Sequence, residues 1–295
     1  MQVYAPQYYT KFSCVGGACR HNCCIGWEID VDGETYARYQ KVEGALGARL
    51  RKHLAADGDG AHFLLGENDR CPFLNSDNLC DIILAMGEDV LCRICTDHPR
   101  YRTFYASRTE IGLGLCCEAA CALILEQKEK PEFVCIDGDG LEECTEKEAL
   151  FFRLRDDILE TIFRAESAEA CIEEIGERYD IILPDADWMT VYTGLEILHS
   201  DWRERIKGLA DPPAADGLPL APVKQLLAYF ICRHLGDGLS DGRYRTRIAF
   251  ALHATHMILH IADTYSALLD VARQYSEEIE YSAENMETLF GLLEQ

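Results

Sequence analysis

Three features of the sequence predict a mainly α protein. Its cysteines crowd into an N-terminal segment with short strands, and apolar residues recur at helical spacing after residue 146. No glycine-rich loop of the kind that opens a doubly wound nucleotide-binding sheet is present. Of 15 cysteines, eleven lie between Cys14 and Cys121, and the rest of the 295-residue chain holds only four. The expected organisation is a cysteine-rich metal-binding domain over 1–127, a linker over 128–145 and an all-helical domain over 146–295.

Within the first segment, Gly26 to Asp32 alternates apolar and polar residues like a half-buried strand, and Phe104 to Leu115 reads as another. Between them, Glu34 to Ala56 reads as a helix, with Tyr36, Tyr39, Leu46 and Leu50 near helical spacing. Asp57 to Gly60 reads as a turn. A second such run, Asp137 to Gly140, lacks the spacing of a calcium loop and reads as linker. Beyond it, Glu146 to Arg164, Ala168 to Tyr179 and Asp187 to Lys207 each carry an apolar face. In the third, Trp188, Tyr192, Leu195, Leu198 and Trp202 step by four, three, three and four. Ala210 to Pro222 is a proline-rich breaker, and further helices are expected over Pro222 to Leu235 and from Arg243 onward.

Composition narrows the function. Asp and Glu outnumber Lys and Arg by 51 to 28, a net charge of −23. Nucleic acid and anionic membrane surfaces need a basic footprint, so both are disfavoured, whereas a lysine-bearing protein would be attracted. The start of the chain has no basic and apolar leader pattern. The least polar stretches, Ile111 to Leu125 and Ile248 to Ala262, are interrupted by Glu118 and by three histidines. No transmembrane segment is therefore expected. A cytoplasmic location follows as the expectation, and disulfides rarely persist there.

The clustered cysteines have the spacing of ligands. Cys14, Cys19, Cys23 and Cys24 fall in one short stretch; Cys71 and Cys80 flank a loop; Cys92 and Cys95 form a CxxC; Cys116 ends an apolar run. Thiolates are soft donors that select zinc, copper(I) or iron–sulfur clusters. Structural zinc prefers paired CxxC knuckles, and only Cys92/Cys95 has that form. The adjacent pair Cys23-Cys24 suits a closed tetrahedron poorly. The residues themselves leave iron–sulfur and zinc both open. Cys117 and Cys121 read as helix packing, and Cys135, Cys144, Cys171 and Cys232 as small core residues. His253, His256, His260 and Asp263 share one helical face and read as packing histidines rather than a metal site. There is no GxSxG elbow or Walker loop, and Gly112-x-Gly114 lacks the third glycine of a dinucleotide fingerprint.

Several motifs taken together resemble the flagellin lysine-N-methylase family: Tyr8-Tyr9-x-x-Phe12-x-Cys14, Cys19-x3-Cys23-Cys24-x-Gly26-Trp27-x-Ile29, Cys71-Pro-Phe-Leu, Leu79-Cys80-x-Ile82, Cys92-x-x-Cys95-x-x-His98-Pro99-Arg100 and Cys116-x-Glu118-Ala119-Ala120. They span residues 4 to about 125. The same segment is similar to small zinc- or iron-chelating proteins with a CxxxCC pattern. What the resemblance implies is an enzyme that methylates lysine ε-amines of a flagellin-like protein. It also implies S-adenosylmethionine as methyl donor and a [4Fe-4S] cluster held by the cysteines. The family pattern expects proline at Cys117 and a basic residue at Cys121. On that resemblance Cys19, Cys23, Cys80 and Cys92 form the core ligand set, with Cys14, Cys24, Cys71, Cys95 and Cys116 as further candidates. Arg100 is a candidate partner for a cofactor carboxylate, with a structural ion pair as the alternative. A non-catalytic zinc- or iron-binding module and an iron–sulfur redox protein stay as alternatives, and a homo-oligomer is left open.

Overall fold

The computed structural model describes residues 1–57, 60–140, 142–210 and 218–294. The turn expected at Asp57 to Gly60 and the breaker at Ala210 to Pro222 fall largely outside these residues. Along the described chain run β1 (Gln2–Pro6), β2 (Asp30–Val31), α1 (Gly33–Gln40), α2 (Gly44–His53), β3 (Leu54–Asp57), β4 (Gly60–Phe63), α3 (Asp81–Met86) and α4 (Arg93–Asp97). Next come β5 (Arg100–Phe104), β6 (Arg108–Leu113), α5 (Glu118–Leu125) and β7 (Phe133–Asp137). Helices follow: α6 (Glu146–Arg164), α7 (Ala168–Tyr179), α8 (Trp188–Gly194), α9 (Ser200–Ile206), α10 (Leu220–His234) and α11 (Gly238–Asp241). The last are α12 (Tyr244–Ile261), α13 (Tyr265–Tyr275) and α14 (Ala283–Leu292), with a π-helical turn at Ser276–Glu280 before α14. The fold is mainly α, as expected, with a helical C-terminal region.

Two compact units emerge, and their boundary differs from the expected one. One unit is Met1–Phe12 with Tyr101–Gln295; the other is Ser13–Arg100. The reason is β1. It pairs in parallel with β6 (Val3 opposite Thr109) and antiparallel with β7 (Ala5 opposite Val134), giving the order β5-β6-β1-β7. The first residues thus join the helical unit, and part of the expected linker is a strand. Ladder pairing over such a sequence separation leaves no local periodic trace.

In this helical unit, α10 and α12 bury residues all round, Phe230 and Phe250 among them, and their sequences are accordingly weakly amphipathic. The start of α6 is set by a capping box: Thr145 accepts from Glu148 N at 3.2 Å and Glu148 accepts from Thr145 N at 3.1 Å. Ser167 caps α7 through Ala170 N. The helix expected over Asp187 to Lys207 is two, α8 and α9, because the backbone turns extended at Leu195 and again at His199. Glu278 holds that break by accepting from Leu198 N at 2.7 Å and His199 N at 2.8 Å.

The Ser13–Arg100 unit has a small antiparallel sheet, β2-β4-β3, under α1 and α2. The helix expected over Glu34 to Ala56 breaks at Gly44, whose φ of +73° is a left-handed value that favours glycine. Its last residues turn instead into β3. Of the strand expected over Gly26 to Asp32, only Asp30–Val31 pairs. The core is Ile29, Val31, Tyr39, Leu50, Leu54, Phe63, Phe73, Leu74 and Ile82, together with Cys71 and Cys92.

Candidate thiol-rich site

Three loop segments of the Ser13–Arg100 unit carry cysteines; main-chain hydrogen bonds staple the first two to each other, and a side-chain carboxylate ties the third to α1. Cys71 N donates to Cys24 O at 2.8 Å and Gly26 N to Asp69 O at 3.1 Å, with a bridge between Ile25 and Arg70. The 71–80 loop closes through the Leu74–Cys80 bridge and Asp81 N to Phe73 O at 2.8 Å. Asn75 fixes the inside of that loop, its Oδ1 accepting from Asp77 N and Leu79 N. Arg49 clamps it from α2, pairing with Asp81 at 2.5 Å, donating to Pro72 O and lying over the Phe73 ring. The third segment is tied by Asp32, which caps α1 at Thr35 N and also accepts from Arg93 N at 2.9 Å. These two main-chain bonds, the Arg93 one foremost, hold the Asp32 carboxyl below its ordinary range. Cys92 is the residue that opens α4.

The outcome is six thiols that feel one another's charge. Cys24 is influenced by Cys23, Cys71 and Cys80, and Cys95 by Cys92, Cys24 and Cys71. Within the Cys92/Cys95 pair the sulfurs are 3.4 Å apart. Hydrogen bonding inside each close pair splits the two members: Cys24 holds Cys23 low and Cys95 holds Cys92 low, while Cys24 and Cys95 are raised. His98 adds a hydrogen bond and its charge to Cys23. Burial pushes the Cys71 thiol up to about 11. Each close pair thus has one member whose thiolate is favoured relative to its partner's, and the thiolate is the form in which cysteine binds metal. His98 was missed as a candidate from sequence; its place three residues after Cys95 was the available signal.

All fifteen cysteines are free thiols. Cys14 and Cys19 sit on the preceding loop, where Cys14 Sγ accepts from Gly16 N and Cys19 Sγ donates to His21 O at 3.3 Å. That loop packs closely on the 77–79 turn: a Cβ on Gly17 would fall 2.6 Å from Asp77 O. Cys116 belongs to the other unit. It is buried, its thiol donates to Tyr281 Oη at 3.1 Å, and burial pushes it up to about 12. Arg100 donates to the carbonyls of Thr96 at 2.9 Å and His98 at 3.4 Å, bracing the end of α4. Cys121 bonds Leu269 O inside the helical core, and Cys171 and Cys232 are buried, as a packing role requires. Cys135 and Cys144 are exposed, against expectation, because β7 and the loop before α6 turn them outward.

Among the described residues, no three Cys, His, Asp or Glu side chains close into a shell around a single ion. A tetrahedral zinc site brings its sulfurs to about 3.8 Å of one another, given bonds near 2.3 Å. A cluster makes a looser demand, since each protein thiolate binds a different iron. The donor set fits such a group: soft sulfurs from three anchored segments, two of them buried in the unit's core.

Of the α12 histidines, His253 is a packing residue, whereas His256 is exposed and His260 half-buried. His253 is buried, its ring tilted at 40° against Trp188 with centroids 3.8 Å apart, and 3.2 Å from Tyr192 Oη. Burial, with the nearby His256, lowers its pKa to about 3. Below pH 6.5 the unfolded chain takes up a proton that the fold refuses. His253 should then contribute a loss of stability on the order of 1 kcal/mol per pH unit as the pH falls from 6.5 toward 3. Urea midpoints of His253→Gln measured across that range should show a shallower pH dependence than wild type; equal slopes would refute this.

These features define the class: a two-unit, mainly α protein with a cysteine-rich centre in the smaller unit. Comparison with known proteins gives the particular kinship. The chain is 29% identical over 133 residues to a Lysine-N-methylase of Salmonella choleraesuis (strain SC-B67), covering 43% of this chain and 33% of that protein. The same figures hold for Lysine-N-methylase of Salmonella typhimurium. A Flagellar biosynthetic protein FliU of Salmonella muenchen is 28% identical over 133 residues, 79% of its length. This chain is related to the flagellin lysine-N-methylase family, and the match spans a third of the length of the two Lysine-N-methylases. No family model matches, and no solved structure matches. Among the described residues no helix is long and apolar enough to cross a membrane.

Proposed function

We propose that this chain methylates lysine ε-amines of a flagellin-like protein with S-adenosylmethionine, and that its cysteine-rich unit holds a [4Fe-4S] cluster. The observation that carries this reading is the gathering of Cys23, Cys24, Cys71, Cys80, Cys92 and Cys95, with His98, in one electrostatic neighbourhood. Kinship with proteins named for lysine N-methylation supports the reaction. Cys23, Cys80 and Cys92 are the first choice of ligands, with Cys19 from the adjoining loop. If one iron were left without a protein thiolate, the cluster would supply a Lewis-acidic site for the amino and carboxylate groups of a methyl donor. In the transfer, the neutral lysine nitrogen forms the new N–C bond as the C–S bond of the sulfonium breaks. The displaced thioether is S-adenosylhomocysteine, and the amine proton passes to solvent or a carboxylate. A net charge of −23 draws a lysine-rich partner toward the chain.

The test is anaerobic purification with iron and acid-labile sulfide analysis, followed by incubation with methyl-labelled S-adenosylmethionine and flagellin. Iron, sulfide and label on lysine are expected. An intact cluster with no label on any lysine-rich protein would favour a redox role, and zinc without sulfide a non-catalytic module.

A further inference from the structure

Tyr39 lies on α1 with no exposed surface, its ring stacked on Phe63 at 6.1 Å and 18°. Its hydroxyl is buried without a well-formed hydrogen bond among the described residues; the Cys92 main-chain N–H lies close enough to act on its oxygen, and the hydroxyl proton has no acceptor. A buried hydroxyl left unsatisfied costs about 1–3 kcal/mol, and phenylalanine would fill the same space without that cost. The packing alone does not account for the oxygen. The groups around it do: Tyr39 packs in the same core as Cys71 and Cys92, with Cys24, Cys80 and Cys95 against that core. The charges of Cys92, Cys95 and Cys80 all act on its hydroxyl. A neutral thiol is a weak acceptor, but a metal-bound thiolate or an inorganic sulfide is a good one.

We propose that the Tyr39 hydroxyl donates a hydrogen bond to a sulfur of the loaded centre and thereby sets its electron affinity. The inference rests on the iron–sulfur reading above and deepens it. Tyr39 is a positioning and tuning residue, not a ligand. A proton directed at sulfur stabilises the more negative, reduced state, so it raises the reduction potential.

The experiment is an anaerobic redox titration of Tyr39→Phe beside wild type, after iron and sulfide have been counted in both. Equal loading and a more negative midpoint in the variant are expected. In the stripped chain, the variant should melt no lower than wild type, because a hydroxyl whose proton has no acceptor has been removed. A merely structural tyrosine would alter melting and leave the midpoint where it was. An iron-loaded variant with the wild-type midpoint overturns this inference and leaves the proposed function standing. Wild type holding neither iron nor sulfide overturns both.

Discussion

Arg155→Met is expected to destabilise the helical unit by about 3–5 kcal/mol, the cost of leaving a buried charge without its partner. Arg155 projects from α6 and is 2% exposed, and its guanidinium meets Glu110 of β6 in a two-pronged pair at 2.6 and 3.0 Å. The same guanidinium lies 4.2 Å over the Phe133 ring of β7, so one side chain couples the longest N-terminal helix of this unit to two strands of its sheet. Arg108 also reaches Glu110 at 2.5 Å, which keeps the carboxylate from being wholly abandoned and sets the expectation nearer the lower figure. Replacing both partners, as in Arg155→Met with Glu110→Leu, removes two desolvated charges together but strands Arg108, so it should recover only part of the loss. Denaturant midpoints of the single and double variants decide it. A single variant within about 0.5 kcal/mol of wild type, the range of ordinary surface changes, would show that the pair does not hold sheet to helix.

The parts of this fold readable from sequence are those whose causes are local. Helices α6 and α7 fall where expected because Thr145, Glu148 and Ser167 mark their starts and their apolar faces repeat at helical spacing. Helices α8 and α9 read as one because what separates them, the carboxylate of Glu278 on Leu198 and His199, arrives from far along the chain. Strands β1 and β7 were invisible for the same reason. At the site, cysteine spacing announced a thiol centre, since ligand type and loop length are written in the residues. Which sulfurs share a neighbourhood was not, because that depends on Asp32, Arg49 and Asn75 folding the loops together. Tyr39 looked like any apolar-face residue of a helix; only burial without an acceptor for its proton sets it apart.

If the Ser13–Arg100 unit holds the proposed cluster, removing it should open that unit selectively. Two of its eleven core side chains are the thiols Cys71 and Cys92, and the thiolates favoured at Cys23 and Cys92 sit beside other sulfurs. Without a positive centre the crowded sulfurs lose the group that would hold them together, and the remaining core is small for a unit this size. Binding free energy is then folding free energy. A group held at 100 times its dissociation constant contributes about 2.7 kcal/mol, or roughly a hundredfold in the population of the open form. Limited proteolysis of loaded chain and of chain stripped by oxidant and chelator should show cuts within 13–100 accelerating by about that factor. Fragments of the helical unit, with its own continuous core, should persist in both. The same protection should vanish in Cys92→Ser, which keeps the size of the side chain and loses the soft donor. Equal digestion of loaded and stripped chains would mean that the cysteine-rich unit folds without help, and that its thiols are packing residues.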